Sequence, residues 1–224
     1  MKRTVFSLLL LTAVVAVSAQ KYEPNTKWPY LYENFEQGTI YFQDNQKNSS
    51  TELNVHLWGN ALHYLGSDGK IYQSNDKNVM RVEIGSDAYL FCDHQLMQIV
   101  STEGTAVLVK LTKGEFDSMQ SGGGAYGASL NSSASRDLSS LDLGGLDTPE
   151  LGKMLQEKND GRIIPTSIHY YFILGGQQVE ATKKGVERHV GSDKVADLQK
   201  FVKENKIKWK KEDSLAALLK FLAN

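Results

Sequence analysis

A chain of 224 residues whose 25 lysines and arginines nearly balance 26 aspartates and glutamates carries a formal charge of −1, which excludes the strongly basic character of a nucleic-acid partner. Its single cysteine, Cys92, forbids an intramolecular disulfide. Stability must then come from buried apolar surface, as one large domain or as two of about 100 residues each.

In chain order, Lys2 and Arg3 precede an apolar run from Val5 to Val17, and Val17 and Ala19 stand at −3 and −1 before Gln20. A short cationic start and a hydrophobic stretch below the ~20 residues needed to span a bilayer predict a secretory signal peptide over 1–19, cleaved between Ala19 and Gln20. The expected product is soluble and periplasmic or secreted, with no transmembrane segment in the mature chain. The residue just after Ala19 is Gln20 and not a cysteine, so no lipid anchor is expected.

Residues 20–35 read as an extended lead-in carrying Pro24, Pro29, Trp28, Tyr30 and Tyr32. From 36 to 113 the pattern predicts a β-rich domain of eight strands: Thr39 to Phe42, Leu53 to Leu57, Ala61 to Leu65, Lys70 to Gln73, Val79 to Ile84, Ala88 to Cys92, Leu96 to Val100 and Thr105 to Thr112. Gly59-Asn60, Ser67-Asp68-Gly69, Gly85-Ser86-Asp87 and Asp93-His94-Gln95 supply turns, with Asp68-Gly69 the clearest hairpin signal. Alternation puts Met80, Val82 and Ile84 on one face and Arg81 and Glu83 on the other. Half-buried strands on short turns predict an antiparallel meander forming a barrel or a sandwich.

Apolar periodicity fades over 114–148, where Gly122-Gly123-Gly124, Ser132-Ser133 and Gly144-Gly145 predict a flexible Gly/Ser-rich linker. The segment 149–224 reads as α+β. A short helix runs from Pro149 to Lys158, a strand from Thr166 to Leu174 turns at Gly175-Gly176 into Gln177 to Thr182, and two helices close the chain. Ser192 is the expected N-cap of the first, whose stripe is Val195, Leu198, Phe201 and Val202, and Leu215, Leu218, Leu219 and Leu222 mark the second. The fold class expected is therefore α+β, with a meander, a linker and a C-terminal β-hairpin bearing a helical tail. Between Lys183 and Lys211 ten basic residues face four acidic ones, suiting a negative surface, a glycan or the acidic linker.

The run Asn34-Phe35-Glu36-Gln37-Gly38-Thr39-Ile40-Tyr41-Phe42-Gln43-Asp44-Asn45 resembles the NF-x-x-G-T-V-Y-F-x-D-G opening of uncharacterised exported proteins of Bacteroidetes-type bacteria. Asn45 stands where that pattern has glycine, a mild change because Asn tolerates left-handed turns. The resemblance implies a compartment and a lineage but no activity. It also implies periplasmic O-glycosylation at Asp-Ser/Thr before a small apolar residue or Met. Asp117-Ser118-Met119 fits at the linker edge, and Asp213-Ser214-Leu215 fits within a helix.

Candidate chemistry is sparse. Cys92-Asp93-His94 joins a thiol and an imidazole, yet no elbow or helix start is there to lower the thiol pKa, and a strand cysteine before a polar turn accounts for it. His56, His63 and His94 lack the spacing of a ready-made chelate, so no metal or other cofactor is assigned. Gly122-Gly123-Gly124 has no following Lys-Ser/Thr to make a phosphate cradle. Trp58, His56 and Tyr64, with Tyr72 and Tyr89 nearby, offer amphipathic rings beside Asn, Gln and Asp, an arrangement suited to a sugar or an extended peptide if the rings do not simply fill the core. The expectation is an exported, soluble, non-enzymatic binding or scaffolding protein whose partner is a glycan, a peptide or another envelope protein. The alternatives are a hydrolase with a loop-borne site and an assembly factor that pairs strand edges.

Overall fold

Alternating burial along short strands organises the chain, and ten of them pair edge to edge into one antiparallel sheet. The computed structural model describes residues 22–43, 49–74, 78–120 and 150–223. The expected signal peptide, its Ala19–Gln20 cleavage point and most of the expected linker lie outside the described residues.

The strands are β1 (Glu36–Phe42), β2 (Ser49–His56), β3 (Ala61–Leu65), β4 (Ile71–Gln73), β5 (Val79–Ile84), β6 (Asp87–Cys92), β7 (Gln95–Glu103), β8 (Ala106–Gly114), β9 (Thr166–Leu174) and β10 (Gln177–Glu180). Their spatial order is β10-β9-β8-β7-β6-β5-β1-β2-β3-β4. Two meanders therefore meet where β1 pairs with β5. Gly38 permits that contact: a Cβ there would overlap the Glu83 carbonyl oxygen and the Leu53 side chain.

The barrel or sandwich expected from the strand pattern is not what forms, because the sheet stays open with β4 and β10 as its edges. The reason lies in β9, which pairs with β8 from Val107 opposite Ile173 to Gly114 opposite Thr166. That ladder extends the sheet beyond the first eight strands, so the strands on both sides of 114–148 belong to one sheet. Helices then cover the added apolar face in place of closure or a second sheet.

Among the described residues five helices accompany the strands: α1 (Phe116–Gln120), α2 (Leu151–Glu157), α3 (Lys183–Val190), α4 (Val195–Glu204) and α5 (Glu212–Leu222). Two differences from expectation are instructive. Residues 114–120, assigned to the linker, end β8 and form α1 with Phe116 buried. The tail holds three helices, not two: α3 is capped by the Thr182 hydroxyl, which accepts from the Gly185 amide at 3.0 Å, while Ser192 caps nothing because α4 begins at Val195. Only Val186 of α3 is buried, so its apolar signal in the sequence was faint.

The α3–α5 layer buries Val186, Leu198, Leu215, Leu218 and Leu219 against Ala106, Leu108, Phe172, Leu174 and Val179. Each such large side chain contributes roughly 1.5–3 kcal/mol. The same sheet face continues into a second cluster of Ile40, Leu53, Val55, Leu62, Val82, Ile84, Tyr89 and Leu96. Met80 does not join Val82 and Ile84 there: a bulge opposite Tyr41 and Phe42 shifts the register, turning Val79 inward and leaving Met80 half in solvent.

On the other face the lead-in lays Trp28, Tyr30 and Phe35 against Ile71, with Leu151 and Met154 of α2 alongside. Its chain continues the line of β1 beside β2, with Leu31 N–H donating to the Val55 carbonyl at 2.9 Å, but residues 32–34 bulge out of the ladder. Asn54, fully buried, satisfies that bulge. Its Oδ1 accepts from Tyr32 N at 3.1 Å, and its Nδ2 donates to the carbonyls of Tyr32 and Asn34 at 3.0 and 2.9 Å. Replacing Asn54 with Ala strands these backbone groups, and urea unfolding should show a loss of about 3 kcal/mol. A change below about 1 kcal/mol would show that the bulge does not depend on Asn54.

Candidate functional site

Two arrangements of chemically capable side chains stand out, one sealed and one open. The sealed one follows from strand register: His56 ends β2, His63 sits on β3 opposite Asn54, and their diagonal placement stacks the imidazoles with centroids 4.6 Å apart and planes 12° apart. Tyr30 closes the cluster, its ring 5.2 and 5.6 Å from the two imidazoles and its hydroxyl 3.0 Å from His63 Nδ1. His56 Nδ1 donates to the Trp58 carbonyl at 3.3 Å.

Both histidines are buried, so the His56 ring fills the core and is not one of the rings offered to a sugar or peptide. The lead-in covers their face of the sheet. Burial pushes His56 down to about 4 against a weaker opposing bond to Trp58. His63 falls to about 2, mainly by burial and then by the neighbouring His56. Gln73, opposite His63 on β4, opposes that shift, although His63 Nε2 makes no hydrogen bond of good geometry. The imidazoles are therefore neutral and closed to solvent at neutral pH, and they act as packing and orienting groups.

The open arrangement lies at the β2–β3 turn. Gly59 and Asn60 take φ values of +75° and +53°, and the Asn60 side chain donates to the Thr112 carbonyl while its own carbonyl accepts from Leu96 N at 3.2 Å. These bonds pin the turn to β7 and β8 and hold Trp58 at 42% exposure beside Phe116, ring centroids 4.8 Å apart. The hollow around the two rings, about 260 Å³, is lined further by Asn60, Gln95, Lys113, Glu115 and Asp117. An aromatic edge ringed by amide, carboxylate and ammonium groups can stack on a sugar or peptide and hydrogen-bond its polar rim.

Next to this hollow is a cluster with little trace in the sequence. Ser167 Oγ on β9 donates to Glu115 Oε1 and lies 3.1 Å from His169 Nε2. A hydroxyl beside an imidazole is the raw material of a nucleophile, but here the carboxylate holds the serine and not the histidine, the reverse of what orients a general base. A Ser-x-His run on a strand is the only sequence signal for it; Glu115 arrives through the β8–β9 pairing.

The other predicted residues are dispersed. Tyr64 lies on the opposite face of β3 from His63 and stacks on Tyr72 at 5.6 Å, while buried Tyr89 meets the Tyr32 hydroxyl, which donates to Asp87 at 2.6 Å. Trp58, His56 and Tyr64 thus do not share a surface. Cys92 is half-buried against Met97 and Val109, and burial, then Asp93, pushes its thiol up, away from the reactive thiolate. Asp93 and His94 form a left-handed turn, φ +47° and +62°. Among the described residues, no three His, Cys, Asp or Glu side chains converge on a metal position. Ser118 is exposed in α1 and donates to the Glu115 carbonyl at 2.6 Å; Ser214 is half-buried in α5 beside fully buried Leu215.

No known protein family, no curated protein and no solved structure matches this chain. Among the described residues, no helix is long and apolar enough to cross a membrane. What the fold defines is an open, ten-stranded antiparallel sheet with helices covering part of one face.

The histidine pair makes stability acid-sensitive. Unfolded, both imidazoles bind protons below about pH 6.5; folded, they stay neutral well below that, so stability is full above pH 6.5 and is lost as pH falls. The loss expected between pH 7.5 and 5 is about 2 kcal/mol for each, before carboxylates titrate. Thermal melts across this range should fall for the native chain and flatten in a His56→Gln, His63→Phe variant; parallel curves would disprove the assignment.

Proposed function

We propose that this protein is an exported, non-enzymatic binding or scaffolding protein whose contact surface is the hollow around Trp58. One observation carries the reading: a tryptophan held 42% exposed by a pinned turn, over a concavity rimmed by Asn60, Gln95, Lys113, Glu115 and Asp117. An exposed indole costs solvation unless a partner covers it, and this rim suits a glycan or an extended peptide. Compartment is supported by the N-terminal pattern and by the resemblance to exported Bacteroidetes-type proteins, in which Asn34, Phe35 and Gly38 now have physical roles: a carbonyl held by Asn54, a buried ring and a close β1–β5 contact. The short sheet edges β4 and β10 are where another envelope protein would pair as a partner.

Glycan-array and peptide-library binding with Trp58→Ala as the variant tests the surface. Truncating a central aromatic anchor typically costs about 2 kcal/mol or more, a loss of thirtyfold or greater, while the melting temperature should hold because the side chain is exposed. Unchanged binding discards this hollow.

A hydrolase is the second reading, favoured only by the Ser167–His169 contact beside the hollow. Ester turnover abolished by Ser167→Ala would replace the binding reading with this one.

Processing has its own measurement. Protein purified from its native host should have an intact mass lacking residues 1–19 and carrying a glycan that Ser118→Ala removes; Ser118 is exposed in α1, whereas Ser214 is half-buried. An unshifted mass at Ser118 rules out that modification.

A further inference from the structure

We propose a second contact surface, distinct from the Trp58 hollow: the start of α3, the end of α4 and the 205–211 loop together dock onto an anionic lipid bilayer. A cleft of about 240 Å³ brings these three segments together, with Leu198, Val202 and Trp209 as its apolar lining, Glu187 accepting from Gln199 at 2.8 Å on one wall, and Lys183 and Lys203 at its rim. In the loop that follows, burial alternates. Ile207 and Trp209 pack against the helix core, so Lys206, Lys208, Lys210 and Lys211 are left pointing to solvent.

Seven exposed lysines, Lys183, Lys184 and Lys203 with those four, thus surround one half-buried tryptophan. Among the described residues, the only ion pair any of their ammonium groups makes is Lys183 to Glu187, at 3.9 Å. Salt bridges within the protein do not neutralise this face.

Two features select a bilayer over a soluble polyanion. The first is the mixture of apolar cleft and cations: a headgroup boundary presents phosphates and hydrocarbon together, and tryptophan favours that depth, whereas an acidic polymer offers charge alone. The second is charge distribution. Residues 183–211 hold ten basic and four acidic side chains in a chain of net charge −1, so the remainder is net negative. An anionic surface would attract this face and repel the rest, setting one orientation.

Flotation of the full chain with vesicles tests the proposal. Binding is expected to phosphatidylglycerol-containing vesicles and not to pure phosphatidylcholine, and to fall as ionic strength rises. The triple variant Lys206→Gln, Lys208→Gln, Lys210→Gln changes only exposed side chains, its fold checked by circular dichroism. At about fivefold per lysine its affinity should drop roughly a hundredfold. Trp58→Ala should float like the native chain. Equal binding to neutral vesicles, an unaffected triple variant, loss in Trp58→Ala, or capture on dextran sulfate without vesicle flotation would each overturn the assignment, the last in favour of a soluble acidic polymer.

Discussion

The β8–β9 ladder is the constraint on which most of the molecule depends. By joining strands more than fifty residues apart in sequence, it prolongs the sheet, provides Leu108 and Phe172 as the floor for the helical layer, and sets Glu115 beside Ser167. Without it the apolar face of β9 would have no neighbour on one side, and α3, α4 and α5 would have too little sheet on which to bury their leucines. Such a non-local pairing costs loop-closure entropy before it returns any contact, and the helical layer offsets that cost with a cluster that exists only once the ladder is formed.

The second organising feature is a polar core. Asn54, His56 and His63 lie on one sheet face beneath an irregular lead-in, and each satisfies a backbone or side-chain group that regular pairing leaves open. A buried amide that brackets residues 32–34 can do this only in one register, since a slip of one residue along β2 would turn it to the other face. Specificity of the lead-in's path therefore rests on hydrogen bonds, while its adhesion rests on Trp28, Tyr30 and Phe35. The same burial that keeps the imidazoles neutral makes the lead-in the element most exposed to acid.

The Trp58 hollow inherits its shape from both features. The His56–Trp58 bond and the Asn60 contacts to β7 and β8 hold the turn from two sides, so the indole is presented by rigid backbone and loses little conformational freedom on binding. The lysine-rich face around Trp209 is built differently, as a loop whose apolar residues are anchored inward and whose charges are therefore displayed outward. One surface presents shape and a ring to stack on; the other presents charge.

Strand positions and turns were legible in the sequence because alternation, Asp68-Gly69 and Gly175-Gly176 are local signals, and each of the ten strands overlaps a stretch the pattern marked, although β1, β2 and β7 extend three or more residues beyond it. So were α4 and α5, whose apolar spacing is strong, and α2, signalled by Pro149 before it and Asn159-Asp160-Gly161 after it. Sequence could not show what depends on distant partners: the β1–β5 and β8–β9 pairings, the bulge that turns Met80 outward, or the lead-in that buries His56 and separates it from Trp58. Likewise α3 left little signal because a single buried valine carries its packing, and Ser167–His169–Glu115 because its carboxylate follows β8 and reaches Ser167 only through the β8–β9 pairing. The sequence by itself determined which residues are extended, turned or helical, since backbone propensity acts over a few neighbours. Which face is covered, and so which rings stay exposed and which merely pack, was decided only by tertiary structure, because burial is a property of what lies across the sheet.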